Sequence, residues 1–293
     1  MARTRANERS KRQLDAAIEL SRRPGVGAAR FKELVDLHGS PAAALATMPC
    51  QLDLAGLGGK PPLDVERIAA LDAVGGDIGF TVYGATDYPR LLARTTEPPP
   101  YLFHKGTLWP SPEVAVAIVG PRRCTSEGAA FACGLAAGLA RHGVPVVSGG
   151  ALGVDTAAHR GALDAGGTTV LVTATGIGRV YPRENERLFR DVAARGCIVT
   201  ELLPGTPPRR DFFPTRNRII VGLSAAVVIV EGRLRTGTWS SASHALRQKR
   251  IVFCWTGSPD RSLRELPDVL LGKGAIAMSG PDAELVIERI ASP

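Results

Sequence analysis

Glycines, hydroxyl residues and arginines cluster after five short apolar runs in this sequence. The five groups are residues 120–123, 148–155, 175–185, 209–218 and 235–241. Glycine lets a backbone approach an anion closely, and the N-terminus of a following helix presents free N–H groups to that anion. Arginine adds a planar, bidentate grip on phosphate and can stack on a base. These residue types predict a rim that binds phosphate groups.

The segment 212–218, Phe-Phe-Pro-Thr-Arg-Asn-Arg, interleaves aromatic side chains with arginines and an asparagine. Base stacking combined with phosphate contact requires these residue types. A helix N-terminus with a hydrophobic staple and exposed arginines has the same composition. The pattern favours a nucleic-acid contact and leaves a purely structural role open.

Acidic and histidine side chains are weaker candidates for chemistry. Asp155 and His159 are four residues apart on a predicted helix, a spacing that also suits a helix-start carboxylate and a packed or solvated histidine. Glu201 and Glu231 follow predicted strands and would serve either as general bases or as structural carboxylates. The sequence contains no G-x-G-x-x-G, no P-loop motif, no assembled Ser-His-Asp set and no metal-ligand cluster. We therefore expect no catalytic residue, no cofactor and no metal.

The elements that must position these groups alternate along the chain. Runs of apolar, mostly β-branched residues predict strands at 114–119, 144–147, 168–173, 197–200, 226–230 and 251–254. Helices are predicted between them at 126–142, 154–165, 184–195, 216–225 and 238–249. This alternation predicts an α/β fold with a doubly wound parallel sheet, and a short αβ appendage follows at 258–293. Ligands bind such a sheet beyond the carboxyl ends of its strands, where all five groups fall.

The chain divides into three predicted parts. Residues 1–85 form a small helical domain with a basic N-terminal tail, 86–112 form a proline-rich connector, and 113–293 form the α/β domain. Glycine turns at 24–27 and 55–59 make the helical part similar to a SAM or helix-hairpin-helix module, in which such a turn contacts a backbone phosphate. An ordinary αα-hairpin with a glycine turn shows the same pattern, so both interpretations stay open.

Composition narrows the class of protein. The 293 residues are 44% hydrophobic and 22% charged, which is typical of a globular chain. Lys and Arg number 36 against 28 Asp and Glu, an excess that favours polyanionic partners. The five cysteines include no CxxC pair, and the sequence has neither an apolar signal region nor an apolar run of about 18 residues. We expect a cytoplasmic protein without a disulfide framework or a membrane span.

Six motifs occur in an order that resembles the DNA-processing protein A family, DprA or Smf. They are VAIVGPRR from Val116, VSGGALGVDTAAHRGAL from Val147, GIGRVYPREN from Gly176, ELLPGTPP from Glu201, FPTRNRIIVGLS from Phe213 and RTGT from Arg235. The resemblance implies an extended Rossmann-like domain that binds single-stranded DNA without catalysis. It further implies loading of the RecA recombinase in natural transformation, and a homodimer.

The resemblance and the rim together predict the DNA-binding residues. The resemblance assigns DNA contacts to Arg122, Arg183, Arg210, Phe213, Arg216 and Arg218, and the rim adds Gly120, Ser148, Gly149, Asn217, Thr236, Gly237 and Thr238. Two positions depart from the family pattern: Pro121 replaces a serine, and Leu152 stands where an arginine is common. Many relatives continue into a C-terminal winged helix, which we do not expect in this chain.

Two other functions stay open at this point. A Rossmann-like hydrolase of nucleoside monophosphates would use Glu201 or Glu231 as its general base and Thr236-Gly237-Thr238 as a phosphate clamp. The Pro-Gly-Gly-x-Gly-Thr motif of such hydrolases is missing from the sequence. A protein-interaction scaffold that uses an apolar sheet edge is the other alternative.

Overall fold

A computed structural model describes residues 2–48, 78–107 and 114–292 of the chain. Within these ranges, nine strands form one sheet: β1 (Ile78–Val82), β2 (Tyr101–Gly106), β3 (Val116–Val119), β4 (Val146–Gly149), β5 (Thr169–Val172), β6 (Cys197–Thr200), β7 (Ala226–Ile229), β8 (Ile251–Trp255) and β9 (Ile276–Met278). The helices are α1 (Ala2–Arg22), α2 (Ala28–His38), α3 (Pro41–Thr47), α4 (Arg90–Ala93), α5 (Ser126–Arg141), α6 (Val154–Asp164), α7 (Glu186–Arg195), α8 (Phe212–Gly222), α9 (Gly237–Arg247), α10 (Arg261–Leu271) and α11 (Ala283–Ala291). None of these described helices is long and apolar enough to cross a membrane.

The strand order across the sheet is β1-β2-β6-β5-β4-β3-β7-β8-β9. All strands from β6 to β9 in this order pair in parallel, whereas β2 pairs antiparallel with β6 and β1 antiparallel with β2. The predicted doubly wound parallel sheet is therefore confirmed. Chain order reverses at β3, which lies between β4 and β7, and this topological switch point leaves a crevice at the carboxyl ends of the strands.

Both faces of the central strands are buried, which explains their continuous apolar character. Val116 and Ile118 of β3 pack into one hydrophobic cluster, to which α5, α6 and α11 contribute. The intervening Ala117 and Val119 pack into a second cluster, to which α8, α9 and α10 contribute. The period of two along the strand thus places alternate side chains in opposite layers.

Helix α8 begins earlier than the sequence predicts. The sequence pattern predicts a start at residue 216, but the helix starts at Phe212 and takes Pro214 into its first turn. Proline is tolerated there because the first N–H groups of a helix have no intrahelical acceptor. The earlier start places Phe213 and Arg216 three residues apart on one rigid element.

The N-terminal helices pack against the sheet edge formed by β1 and β2. Leu14, Ile18 and Phe31 are buried in the same cluster as Leu102 and Phe103 of β2. Helix α3 starts at Pro41 because the Ser40 side chain accepts a hydrogen bond from the N–H of Ala43 and proline suits the first helical position. The second predicted glycine turn, 55–59, lies outside the described residues.

The predicted helical segment and connector differ from the structure at their junction. Residues 78–82 form β1 instead of continuing the helices, and the connector contains α4 and β2. The hairpin of β1 and β2 extends the sheet beyond β6, whose backbone would otherwise present unpaired groups at an edge. The predicted C-terminal appendage also joins the sheet, since β9 pairs with β8.

Gly161 allows α5 and α6 to pack closely. A Cβ atom at this position would lie 2.2 Å from the backbone oxygen of Cys133. We expect Gly161→Ala to lower the free energy of unfolding by about 1–3 kcal/mol. The cost of overpacking should exceed the gain of about 1 kcal/mol that alanine has over glycine in a helix. Gly280→Ala is the matched control, since a Cβ there meets nothing within 4 Å. Equal midpoints of urea unfolding for the two variants would contradict this packing role.

Candidate functional site

A cleft of about 640 Å³ lies at the switch point of the sheet. Its walls come from the loop after β3, the starts of α6, α8 and α9, and the N-terminal end of α10. The volume falls within the range of about 300–1,000 Å³ that is usual for ligand sites. Parts of four of the five predicted groups, 120–123, 148–155, 209–218 and 235–241, therefore line one cavity.

Arginine and aromatic side chains from three segments meet at one end of this cleft. The Arg122 guanidinium lies 5.0 Å from the centroid of the Phe213 ring. The Tyr181 ring packs on the same phenylalanine at 5.7 Å with an angle of 59° between the ring planes. Arg122 and Tyr181 are exposed and Phe213 is half-buried, so solvent reaches this group. The arrangement offers aromatic and guanidinium surfaces on which a planar base can stack.

Arg216 lies on the floor of the cleft and is only 8% exposed. Its guanidinium donates to the carbonyl oxygen of Val172 and to Asn217 Oδ1, the latter at 3.2 Å. Burial lowers the pKa of Arg216, and the nearby Asp155 carboxylate counteracts that shift. Burial likewise raises the pKa of Asp155, and the charge of Arg216 acts against it. Each of these buried charges therefore stabilises the other.

Two glycines of the segment 148–155, the predicted site residue Gly149 and also Gly153, are required by close packing around this pair. A Cβ on Gly149 would lie 2.4 Å from Asp155 Oδ2 and 2.5 Å from Arg216 Nη1. Gly153 has a φ of 80° and would place a Cβ 2.5 Å from the backbone oxygen of Arg122. Glycine at these positions lets the loops after β3 and β4 approach each other.

The start of α9 forms the opposite wall. Thr236, Gly237 and Thr238 line the cleft, as does the predicted Gly120 after β3. Asn217 also lines it, and its Nδ2 donates to the Gly237 carbonyl oxygen at 3.1 Å. This hydrogen bond fixes the start of α9 against α8.

Arg218 takes a structural position instead of lining the cleft. One guanidinium nitrogen donates to the Glu201 carboxylate, and the other donates to the Glu97 carbonyl oxygen at 2.8 Å. Both side chains of this ion pair are largely buried. Arg218 directly follows Asn217 in α8 and therefore projects from a different side of the helix, toward Glu97 and Glu201 and away from the cleft that Asn217 contacts. The predicted DNA contact at Arg218 does not agree with this geometry.

Three further predicted residues lie outside the cleft lining. Ser148 is fully buried and its hydroxyl donates to the Ile118 carbonyl oxygen at 2.6 Å, which ties β4 to β3. Arg183 and Arg210 are exposed on the loops after β5 and β6. Ser148 therefore has a structural role next to the site, because it links two strands of the sheet. The two arginines remain predictions for DNA contacts outside the cleft.

The candidate bases of the hydrolase alternative do not line the cleft either. Glu201 pairs with Arg218 as described. Glu231 is fully buried and accepts hydrogen bonds from the Thr125 N–H at 3.0 Å and from the Thr125 and Ser258 hydroxyls at 2.6 Å each. It holds the start of α5, so the hydrolase interpretation loses both proposed bases.

His159 is a packing residue. It is fully buried, its Nε2 donates to the Gly149 carbonyl oxygen at 2.8 Å, and its Nδ1 lies 2.6 Å from Thr169 Oγ1. Burial lowers the pKa of His159 to about 4, so the ring is neutral near pH 7. It joins α6 to β4 and β5.

The cleft has further lining residues that were not among the predicted DNA-binding residues. Arg123 and Ser241 belong to the predicted groups 120–123 and 235–241, whereas Arg233, Asp260 and Leu263 lie outside all five groups. Ser241 follows Thr238 by three residues, and this helical spacing was an available signal. Asp260 and Leu263 gave no such signal, because only the fold brings the C-terminal part of the chain to this wall.

A doubly wound sheet with an arginine-lined cleft at its switch point defines a Rossmann-like protein with a site suited to phosphate groups. Family models then specify the relationship. The model described as DNA recombination-mediator protein A matches residues 79–290, and that of the DprA-like N-terminal HHH domain matches residues 11–70. The chain belongs to the DNA recombination-mediator protein A family, DprA or Smf.

Individual relatives agree with this assignment. Protein Smf of Synechocystis is 39% identical over 178 residues, which are 59% of this chain and 45% of that protein. The match thus spans less than half the length of this relative. The X-ray structure of DprA from Streptococcus pneumoniae has a TM-score of 0.69 at 27% identity, covering 94% of this chain and 92% of that chain. A structure of DNA processing protein A from Helicobacter pylori, described for its single-stranded DNA binding mode, has a TM-score of 0.63 at 28% identity, covering 72% of this chain and 95% of that chain.

We expect the Arg218–Glu201 pair to contribute to stability. Arg218→Met should lower the free energy of unfolding by about 2–4 kcal/mol, because it leaves a largely buried carboxylate without its arginine. Arg218→Met combined with Glu201→Met should cost less than the sum of the single changes. Chemical denaturation of all four proteins measures this coupling, and strict additivity would contradict the importance of the pair.

His159 should make stability depend on pH. Its pKa is about 4 in the folded protein and about 6.5 in the unfolded chain, so only the unfolded chain gains this proton between those values. The His159 contribution is present above pH 6.5 and is lost as the pH falls toward 4, with a slope of roughly 1.4 kcal/mol per pH unit. The free energies of unfolding of wild type and His159→Gln should therefore approach each other as the pH falls toward 4. Parallel pH profiles for the two proteins would exclude a neutral buried histidine.

Proposed function

We propose that this protein binds single-stranded DNA in the switch-point cleft and acts as a non-enzymatic recombination mediator. The observation that carries the proposal is the meeting of a stacking group and several arginines at one cleft. Arg122, Phe213 and Tyr181 form the stacking group, and Arg122, Arg123, Arg216 and Arg233 line the cleft.

The cleft favours single strands over duplex DNA. A base can stack on Phe213 or Arg122 only when its face is free, and bases in a duplex are stacked on their neighbours. Stacking also tolerates any base, because every base has a π-face. Binding of this kind is therefore expected to be independent of sequence and sensitive to salt.

The charges of the cleft agree with a polyanionic ligand. Arg122, Arg123, Arg216 and Arg233 line it together with Asp155 and Asp260, so arginines outnumber carboxylates. Exposed Arg183 and Arg210 lie on neighbouring loops and extend the basic surface available to a strand. A strand longer than the cleft would meet these residues at its exits.

Family membership supports the remaining parts of the proposal. The Helicobacter pylori relative is described as binding single-stranded DNA, and the family is described as a recombination mediator. We infer that this chain passes its strand to a RecA recombinase, forms a homodimer and works in the cytoplasm. The chain has 36 Lys and Arg against 28 Asp and Glu, and this basic excess suits a protein that stays bound to DNA during such a transfer.

Removing the stacking group should weaken the complex. We expect Arg122→Ala and Phe213→Ala each to reduce affinity for a labelled oligothymidine by about tenfold to a hundredfold, the scale of a charge-assisted bond or a stacked base. Fluorescence anisotropy over a salt series measures this effect beside a duplex of equal length.

The matched control for Arg122→Ala is Arg289→Ala, which removes an exposed arginine of α11 outside the cleft lining. Arg122→Ala should also make the plot of log affinity against log salt concentration less steep, by about the amount that one phosphate contact contributes. Equal loss of affinity in both arginine variants would show that net charge, and not the cleft, holds the DNA.

A further inference from the structure

The start of α9 presents hydrogen-bond donors to the cleft that the fold leaves unused. Thr236 occupies the N-cap position, but its hydroxyl donates to the Arg233 carbonyl oxygen at 2.7 Å and makes no capping hydrogen bond. The first N–H groups of an α-helix have no intrahelical acceptor. In α9 they therefore remain open toward the cavity that Thr236, Gly237 and Thr238 line.

Two buried hydroxyl groups lie on the same helical face. Thr238 and Ser241 are 6% and 3% exposed, respectively, and both line the cleft. Among the described residues, no hydrogen bond is formed by either hydroxyl, and neither oxygen is fully enclosed by protein atoms, so both are open to the cleft. In a helix, a serine or threonine hydroxyl often donates to the carbonyl four residues earlier. For Ser241 that carbonyl belongs to Gly237, which already accepts from Asn217.

The charges around this wall favour an anion. Arg123 and Arg233 line the same cavity, and the N-terminus of α9 adds the positive end of a helix dipole. Asp260 also lines the cavity, but its carboxylate accepts from the Ser262 N–H at 2.8 Å and the Ser262 hydroxyl at 2.7 Å. This carboxylate is engaged in capping α10.

We propose that the first turn of α9 is a phosphate subsite in which the hydroxyls of Thr238 and Ser241 donate to one phosphate group. Arg122 and Phe213 of the stacking group line the same cavity as Thr238 and Ser241, so the proposal assigns the base and the phosphate of one nucleotide to these two parts of the cleft. The cleft should therefore bind a free nucleoside 5′-monophosphate as well as a strand. This inference rests on the proposed DNA binding and specifies the unit that the cleft recognises.

Calorimetric titration of the full chain with dTMP and with thymidine tests the subsite. We expect dTMP to bind at least about tenfold more tightly than thymidine, the scale of a hydrogen bond to a charged group. Ser241→Ala and Thr238→Val should remove most of that difference, since each deletes a hydroxyl and keeps the helix. Ser240→Ala is the matched control, because this neighbouring hydroxyl already donates to the Pro214 carbonyl oxygen at 3.4 Å.

Oligothymidine binding, measured on the same samples, separates this inference from the proposed function. Equal affinities for dTMP and thymidine, or an unchanged dTMP affinity in both Ser241→Ala and Thr238→Val, would overturn the subsite even where the oligonucleotide still binds. Binding of dTMP without binding of the oligonucleotide would keep the subsite and overturn the proposed function. If neither dTMP nor the oligonucleotide binds, the subsite and the proposed function are both overturned.

Discussion

The site depends on the interactions of the Arg216 guanidinium, which is almost fully buried beneath the cleft. A buried cation is costly unless hydrogen bonds and an opposite charge compensate for lost hydration. Here the Val172 carbonyl, Asn217 and Asp155 provide that compensation. These partners belong to β5, α8 and α6, so satisfying one side chain fixes three elements relative to one another.

This constraint extends to the rest of the site through shared residues. Asn217 accepts from Arg216 and donates to the start of α9, so the wall opposite the stacking group is set by the same network. Gly149 leaves the space in which Asp155 and Arg216 lie close together. Low exposure makes each member of this network sensitive to the others, because an unsatisfied polar group is expensive at low dielectric.

Three carboxylates of the α/β domain hold structural elements in place. Glu231 holds the start of α5 through Thr125 and Ser258, Glu201 neutralises Arg218, and Asp260 caps α10. Glu201 and Glu231 lie outside the cleft lining, and Asp260 is engaged through Oδ1, so arginines and hydroxyl residues outnumber carboxylates at the cleft surface, beside the Phe213 ring. Such a surface recognises charge and ring faces, which suits reversible binding of a strand.

The sequence by itself determined the parallel sheet, its helices and the motifs that meet at the switch point, because β-branched runs and glycine turns act locally. Only the tertiary structure decided which arginine lines the cleft. Arg216 and Arg218 share a motif, yet one lies under the cleft and the other pairs with Glu201. Pairing of β1 with β2 and the arrival of Asp260 and Leu263 at the cleft were equally undetermined, since they depend on contacts between segments distant in sequence.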